Sequence, residues 1–190
     1  MAKRIQWKFG ILSLMVLAAA LTRLLPHPPN FTPVGAMALF GAAYFSRKYL
    51  GILVPIVAMW MSDLLLNNLV YARLYPDFYS GFSWFGNLWV YSSFVLIAGI
   101  GFLLLKKVNV TNLLGASLLA SIVFFLITNF GAWVIDPLYP KTAAGLSAAY
   151  FNGIPYFWNT LAGDLFFSGV LFGSYALISR SHPAISSENA

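Results

Sequence analysis

The chain has 190 residues, 60% of them hydrophobic and 8% charged, with no cysteine and a net charge of +6. A soluble domain carries roughly 25% charged residues, so this chain cannot clothe a water-facing surface, and its solvent is largely lipid. The missing cysteines exclude disulfides, thiolate metal sites and a cysteine nucleophile. The basic residues fall in short clusters between apolar runs, which fits orientation in a membrane better than nucleic-acid binding.

A spanning helix needs roughly 20 mostly apolar residues, with about 17 as a lower limit. The first run, 9–25, follows Lys3, Arg4 and Lys8. Its Ala18-Ala19-Ala20 resembles a signal-peptide cleavage site, but the apolar character continues to Leu25, which predicts a retained helix. Pro26, Pro28, Pro29 and Pro33 then stop that helix and hold an extended link, because proline lacks a backbone N–H and disfavours helix in the residue before it. The second run, 31–45, is short and rich in small residues, among them Gly35, Ala36, Ala38 and Gly41. Four more runs follow, at 49–66, 85–105, 113–135 and 155–178. The links 70–84 and 136–154 are rich in Tyr, Pro and Gly, and 181–190 reads as a frayed end. Nothing suggests a second domain or an internal repeat.

The distribution of Lys and Arg decides whether the short second run crosses. With six spans, Lys3, Arg4, Lys8, Arg47, Lys48, Lys106, Lys107 and Arg180 all fall on one side. The other side then holds only Arg23, Arg73 and Lys141. The expectation is therefore an all-α, single-domain integral membrane bundle of six transmembrane helices, with both termini cytoplasmic.

An ionised side chain at the bilayer centre costs about 2.5–3.5 kcal/mol on the insertion scale, so each needs a partner or a wet cavity. Three such residues stand out: Arg23, Asp63 and Asp164. Trp60, Asp63 and Asn67 share one helical face, as do Thr160, Asp164 and Ser168, with Asn159 nearby. The fifth run adds Ser117, Ser121 and Thr128 on one face, plus Asn129. Two readings follow. Arg23 pairs with Asp63 or Asp164 and the hydroxyls tie helices together, or these groups line an outward-facing pocket. Trp60, Trp84, Trp89, Trp133 and Trp158 all fall toward the outer ends of their runs, which suits a flat, ring-bearing ligand.

Other chemistries find little support. His27 and His182 fall on opposite sides, so no histidine metal site is expected. Phosphate-binding loops and the dinucleotide glycine fingerprint are absent. Two intramembrane aspartates could share a proton as in aspartyl proteases. Leu161-Ala162-Gly163-Asp164 ends in the Gly-Asp of the presenilin-type motif but lacks its first glycine.

Three stretches carry a family resemblance: PHPPNFTPVGAMALFGAAYF (26–45), VPIVAMWMSDLLL (54–66) and YPKTAAGLSAAYFNGIPYFWNTLAGDLFFSGVLFG (139–173). Together they resemble an uncharacterised bacterial family of six-helix membrane proteins. That family is grouped with the substrate-binding S components of energy-coupling factor (ECF) vitamin transporters. The resemblance implies a vitamin- or cofactor-like solute held in the outer half of the bundle. It also implies delivery by toppling on an energising module, made of a coupling membrane protein and two ATPases. One departure bears on docking to a coupling protein: the first helix lacks the Ala-x-x-x-Ala contact motif of many S components. Met1-Ala2 lacks the Met-then-His start of the cobalt and nickel members, so a metal-ion substrate is not expected.

The sequence thus predicts a non-enzymatic uptake protein of the bacterial inner membrane that uses no cofactor of its own. Its expected partners are the lipid bilayer and a small ring-containing solute, with the energising module as what the resemblance implies, and nucleic acid is not among them. Arg23, Asn30, Asp63, Asn67, Asn129, Trp133, Asn159 and Asp164 are the expected pocket residues. Arg23 would pair with an anion, the asparagines would supply paired hydrogen-bond groups, and Trp133 would stack. A membrane scaffold without transport is the alternative, and an intramembrane aspartyl protease a more distant one.

Overall fold

The computed structural model describes residues 2–77, 79 and 81–181. Six principal helices make up these residues, and no strand occurs among them. They are α1 (Ala2–Leu21), α2 (Val34–Tyr44), α3 (Lys48–Leu65), α4 (Leu88–Leu104), α5 (Val110–Ile135) and α6 (Ala143–Ser181). A 3-10 turn, Thr22–Leu24, extends α1. A π-helical turn, Leu66–Tyr71, and the short helical Ala72–Leu74 extend α3.

Four of the six are long and apolar enough to cross a membrane: α1, α3 with its extension, α5 and α6. α4 has 17 residues and α2 only 11. At 1.5 Å per residue α2 is about 16 Å long, roughly half of a ~30 Å hydrocarbon core. The second run, expected over 31–45, is therefore a half-length helix. Pro33 occupies its N-cap and its first turn begins only at Val34, so Phe31 and Thr32 belong to the non-helical link.

The remaining boundaries move for local reasons. The fourth run starts at Leu88 rather than 85 because the Asn87 side chain accepts a hydrogen bond from the Trp89 N–H and caps the helix there. Asn109 does the same for α5, accepting from Asn112 N, which starts that helix at Val110 rather than 113. The sixth run, expected over 155–178, is a 39-residue helix that passes through Pro155 without ending. Proline removes one internal hydrogen bond, and here the packing of α6 along α5 outweighs that loss.

α2 forms the axis. Val34 through Gly41 are all buried, and the helix touches each of the other five. A helix that is apolar all round belongs in such a place. Its close approach to α3 is made by two glycines. A Cβ on Gly41 would overlap the Gly51 carbonyl, and one on Gly51 would approach the Gly41 carbonyl at 2.6 Å. Pro55 has no N–H to give to the Gly51 carbonyl four residues earlier, so that oxygen is left free at the helix surface where α2 packs.

Contacts fix the direction of each helix. Phe9 near the start of α1 packs edge-on against Phe45 at the end of α2, and Ala42 meets Gly101 near the end of α4. At the opposite end Arg23, Asp63 and Tyr91 meet, and Trp89 lies against Gly131. One end of the bundle thus carries Lys8, Arg47, Lys48, Lys106 and Lys107, while Arg23, Arg73 and Lys141 belong to the other. Large apolar side chains such as Leu14, Leu53, Leu103, Leu118 and Leu177 stand exposed around the bundle, a surface suited to lipid.

Candidate functional site

The polar residues of the bundle gather in three places. The first is an ion pair at the end of α1. The 3-10 turn ends the helix so that Arg23 reaches across to α3, where its Nη2 lies 2.7 Å from Asp63 Oδ1. Nη1 donates to Ser62 Oγ at 2.6 Å and, more weakly, to the Met59 carbonyl at 3.4 Å. The other Asp63 oxygen accepts a 2.6 Å hydrogen bond from the Tyr91 hydroxyl of α4. Both charged side chains are largely buried, at 13% and 7% exposure. An ion pair so enclosed loses hydration, and the two added hydroxyl contacts offset part of that cost.

A loop lies over this cluster. Gly86 packs so closely on Asp63 that a Cβ there would overlap the carboxylate. Three side chains of α3 and its π turn pin the loop. Trp60 Nε1 donates to the Trp84 carbonyl at 2.9 Å. Asn68 pairs with the main chain of Ser83, donating to its carbonyl and accepting from its N–H. Asn67 reaches Ser83 Oγ and the Phe85 carbonyl, both at 3.4 Å. Beside it, burial and the nearby charges of Tyr71 and Asp63 push the Tyr79 phenol above its usual pKa.

The second place lies near mid-bundle. Asp164 is 1% exposed and accepts a 2.7 Å hydrogen bond from Ser121 Oγ on α5. It also accepts from the backbone N–H groups of Gly35 and Ala36 in the first turn of α2. A carboxylate at a helix N-terminus satisfies free N–H groups and complements the helix dipole. Here the cap comes from another helix, and the absent side chain of Gly35 makes room for it: any Cβ there would overlap the carboxylate. Below it Ser117 and Ser168 join α5 to α6 at 3.1 Å. Ser121 is the twelfth of 26 residues in α5, so α2 begins near the middle of the bundle's thickness.

Between these two places runs the link 25–33. Asn159 Nδ2 donates to the Pro29 carbonyl at 2.9 Å, and the backbone of Thr32 lies against Gly163. The link therefore descends along α6 toward Asp164. Leu25, Pro26, Pro28, Pro29 and Asn30 are exposed along it, and Asn30 adopts φ 64°, a left-handed conformation that asparagine tolerates better than most residues.

The third place is the α5–α6 hairpin. Asn129 donates to its own helix at Phe125 and faces Gly153. Trp133 Nε1 donates to the Pro140 carbonyl at 2.9 Å, and Lys141 covers the carbonyls of Trp133, Asp136 and Tyr139 at the end of α5. The fold brings Arg23, Asp63 and Asn67 together, sets Asn159, Asn30 and Asp164 along one descending link, and engages the side-chain N–H groups of Asn129 and Trp133 within their own hairpin. Tyr91, Ser62, Gly86 and Asn68 were not anticipated. Tyr91 could have been sought as the phenol in the first turn of its run. Asn68 follows Asn67 and on α-helical geometry would point away from it.

Asp63 and Asp164 hold different partners on different helices, and no group of three or more metal-binding side chains occurs among the described residues. The chain belongs to a family of unknown function, DUF6580, whose model matches residues 3–185. No curated protein and no solved structure matches it.

Proposed function

We propose that this DUF6580 protein is a non-catalytic solute-binding protein of the bacterial inner membrane, with six spans and cytoplasmic termini, that captures a small ring-bearing solute from outside. The half-length α2 is the observation that carries this reading. Backbone without internal hydrogen bonds is tolerated at membrane depth only where it is buried in protein or lines a water-filled cavity. Five residues in the outer part of the link, between 25 and 30, are exposed while Pro33 is buried, which favours a cavity confined to the outer half. Broken helices that end near the midplane recur beside transporter binding sites, and here Asp164 caps the broken end. The Arg23–Asp63–Tyr91 cluster would form one wall of that cavity and the loop at Ser83–Gly86 its cover.

The resemblance to S components of ECF transporters adds a route: a solute held in the outer half, then delivered to an energising module. The separate partners of Asp63 and Asp164 favour binding over proteolysis, since an aspartyl pair must share a proton. A second reading has its own support. Arg23, Asp63 and Asp164 already have partners inside the bundle, which is what a membrane scaffold needs.

Native mass spectrometry of protein released gently from membranes distinguishes the two. Solute binding predicts a small-molecule adduct that Asp63→Ala and Asp164→Asn lose while remaining monodisperse. Bare wild-type protein that carries a co-purifying protein instead, with both variants failing to fold, would favour the scaffold.

A further inference from the structure

A groove runs along the seam between α1 and α6, where the two helices meet only sparsely. Met15, Ala19 and Thr22 line it on α1, and Val170, Ser174 and Ile178 on α6, around a cavity of about 250 Å3. Leu14, Leu21, Phe166 and Leu177 stand exposed on the same two helices, so the groove opens on the apolar surface at membrane depth.

Lys8 stands on α1 seven residues before Met15. Seven residues are close to two turns, so the two share a face about 10 Å apart along the axis. Lys8 is 6% exposed, yet it has no hydrogen-bond or ion-pair partner among the described residues. Arg47 and Arg180, by contrast, are exposed to solvent or headgroups. The described aspartates are 63, 77, 136 and 164, and none lies at the end of the bundle that holds Lys8. A basic end of the bundle favours an anion, and none of the described carboxylates lies there.

We propose that this seam is a binding site for one anionic phospholipid, with an acyl chain along the groove and the phosphate on Lys8. The chain fills an apolar cavity that opens sideways into the bilayer. The phosphate sits at the level where the first helix meets the headgroups. The negative charge of the lipid answers a basic end that has no carboxylate of its own among the described residues.

The test uses the full-length protein in detergent, stripped of lipid and then titrated with phosphatidylglycerol or phosphatidylcholine while bound lipids are counted by native mass spectrometry. Wild type and Lys8→Arg should retain one phosphatidylglycerol in preference to phosphatidylcholine. Lys8→Met should weaken that retention about fivefold, the equivalent of ~1 kcal/mol per basic residue at an anionic surface. Ser174→Phe, on the exposed α6 wall, should displace the chain and lose the lipid without touching Lys8. Equal retention of the two lipids by wild type overturns the proposal, as does phosphatidylglycerol retention unchanged in Ser174→Phe. A wild-type dimer that Ser174→Phe dissociates would assign the groove to a second copy of the chain and overturn it too. Should Lys8→Met fail to fold, Ser174→Phe and Lys8→Arg still decide the matter.

Discussion

Asp164 caps α2 from across the bundle, and Gly35 is the residue that lets its carboxylate reach the helix N-terminus. The pair makes a single joint between α6 and the buried axis. Gly35→Ala should therefore destabilise the protein by about 1–3 kcal/mol, the usual cost of overpacking. Thermal unfolding in detergent would report it. Adding Asp164→Ala should then cost less than the sum of the two single changes, because both disturb one contact.

The Arg23–Asp63 pair makes a sharper demand. Removing one partner of a buried ion pair leaves the other charge unanswered, at about 3–5 kcal/mol. Arg23→Met and Asp63→Asn should each fall in or near that range, and the double variant should be more stable than either cost added to the other. A double-mutant cycle on unfolding midpoints checks this, and strict additivity would mean the pair is not coupled.

Tyr91→Phe keeps the ring of α4 in place and removes only the hydroxyl that donates to Asp63. A hydrogen bond to a charged group contributes about 1.5–3 kcal/mol. The variant should lose stability on that scale with helical content unchanged by circular dichroism.

The loop over the site is fastened chiefly by Asn68, which meets both main-chain groups of Ser83. Asn68→Ala should raise local opening without unfolding the bundle. Hydrogen exchange across 83–86 should quicken about five- to tenfold, as expected for losing roughly 1–1.5 kcal/mol of local stability. Because the chain has no cysteine, a disulfide between Asn68→Cys and Ser83→Cys would form without competition and should slow exchange there instead.

The sequence disclosed more of the chemistry than of the geometry. Ser117, Ser121, Asp164 and Ser168 fall on inward stripes by spacing alone, and all four are buried where α5 meets α6. That Arg23 needs an acidic partner follows from the cost of a lone charge in lipid. Which aspartate answers it depends on how far α1 continues before its 3-10 turn, a tertiary outcome. The half-length α2 was masked by composition, because Phe31 and Thr32 look apolar enough to extend the run while Pro33 sets the actual start. Pro155 misled in the other direction: a strong local breaker lost to 39 residues of helix packed along α5. Partners contributed by a single tyrosine or by a backbone N–H, such as Tyr91 and Gly35, leave no periodic trace to read.

The π turn Leu66–Tyr71 carries one consequence for how this protein could change over evolution. Such a turn is the footprint of one residue more than an α-helix would hold. It swings Asn67 and Asn68 together toward the loop, where both make contacts that adjacent residues on a regular helix would share poorly. Deleting a single residue between Leu66 and Tyr71 would restore the ordinary repeat, in which neighbouring side chains point about 100° apart. The bundle below would be untouched, while the cover over Arg23 and Asp63 would come unfastened.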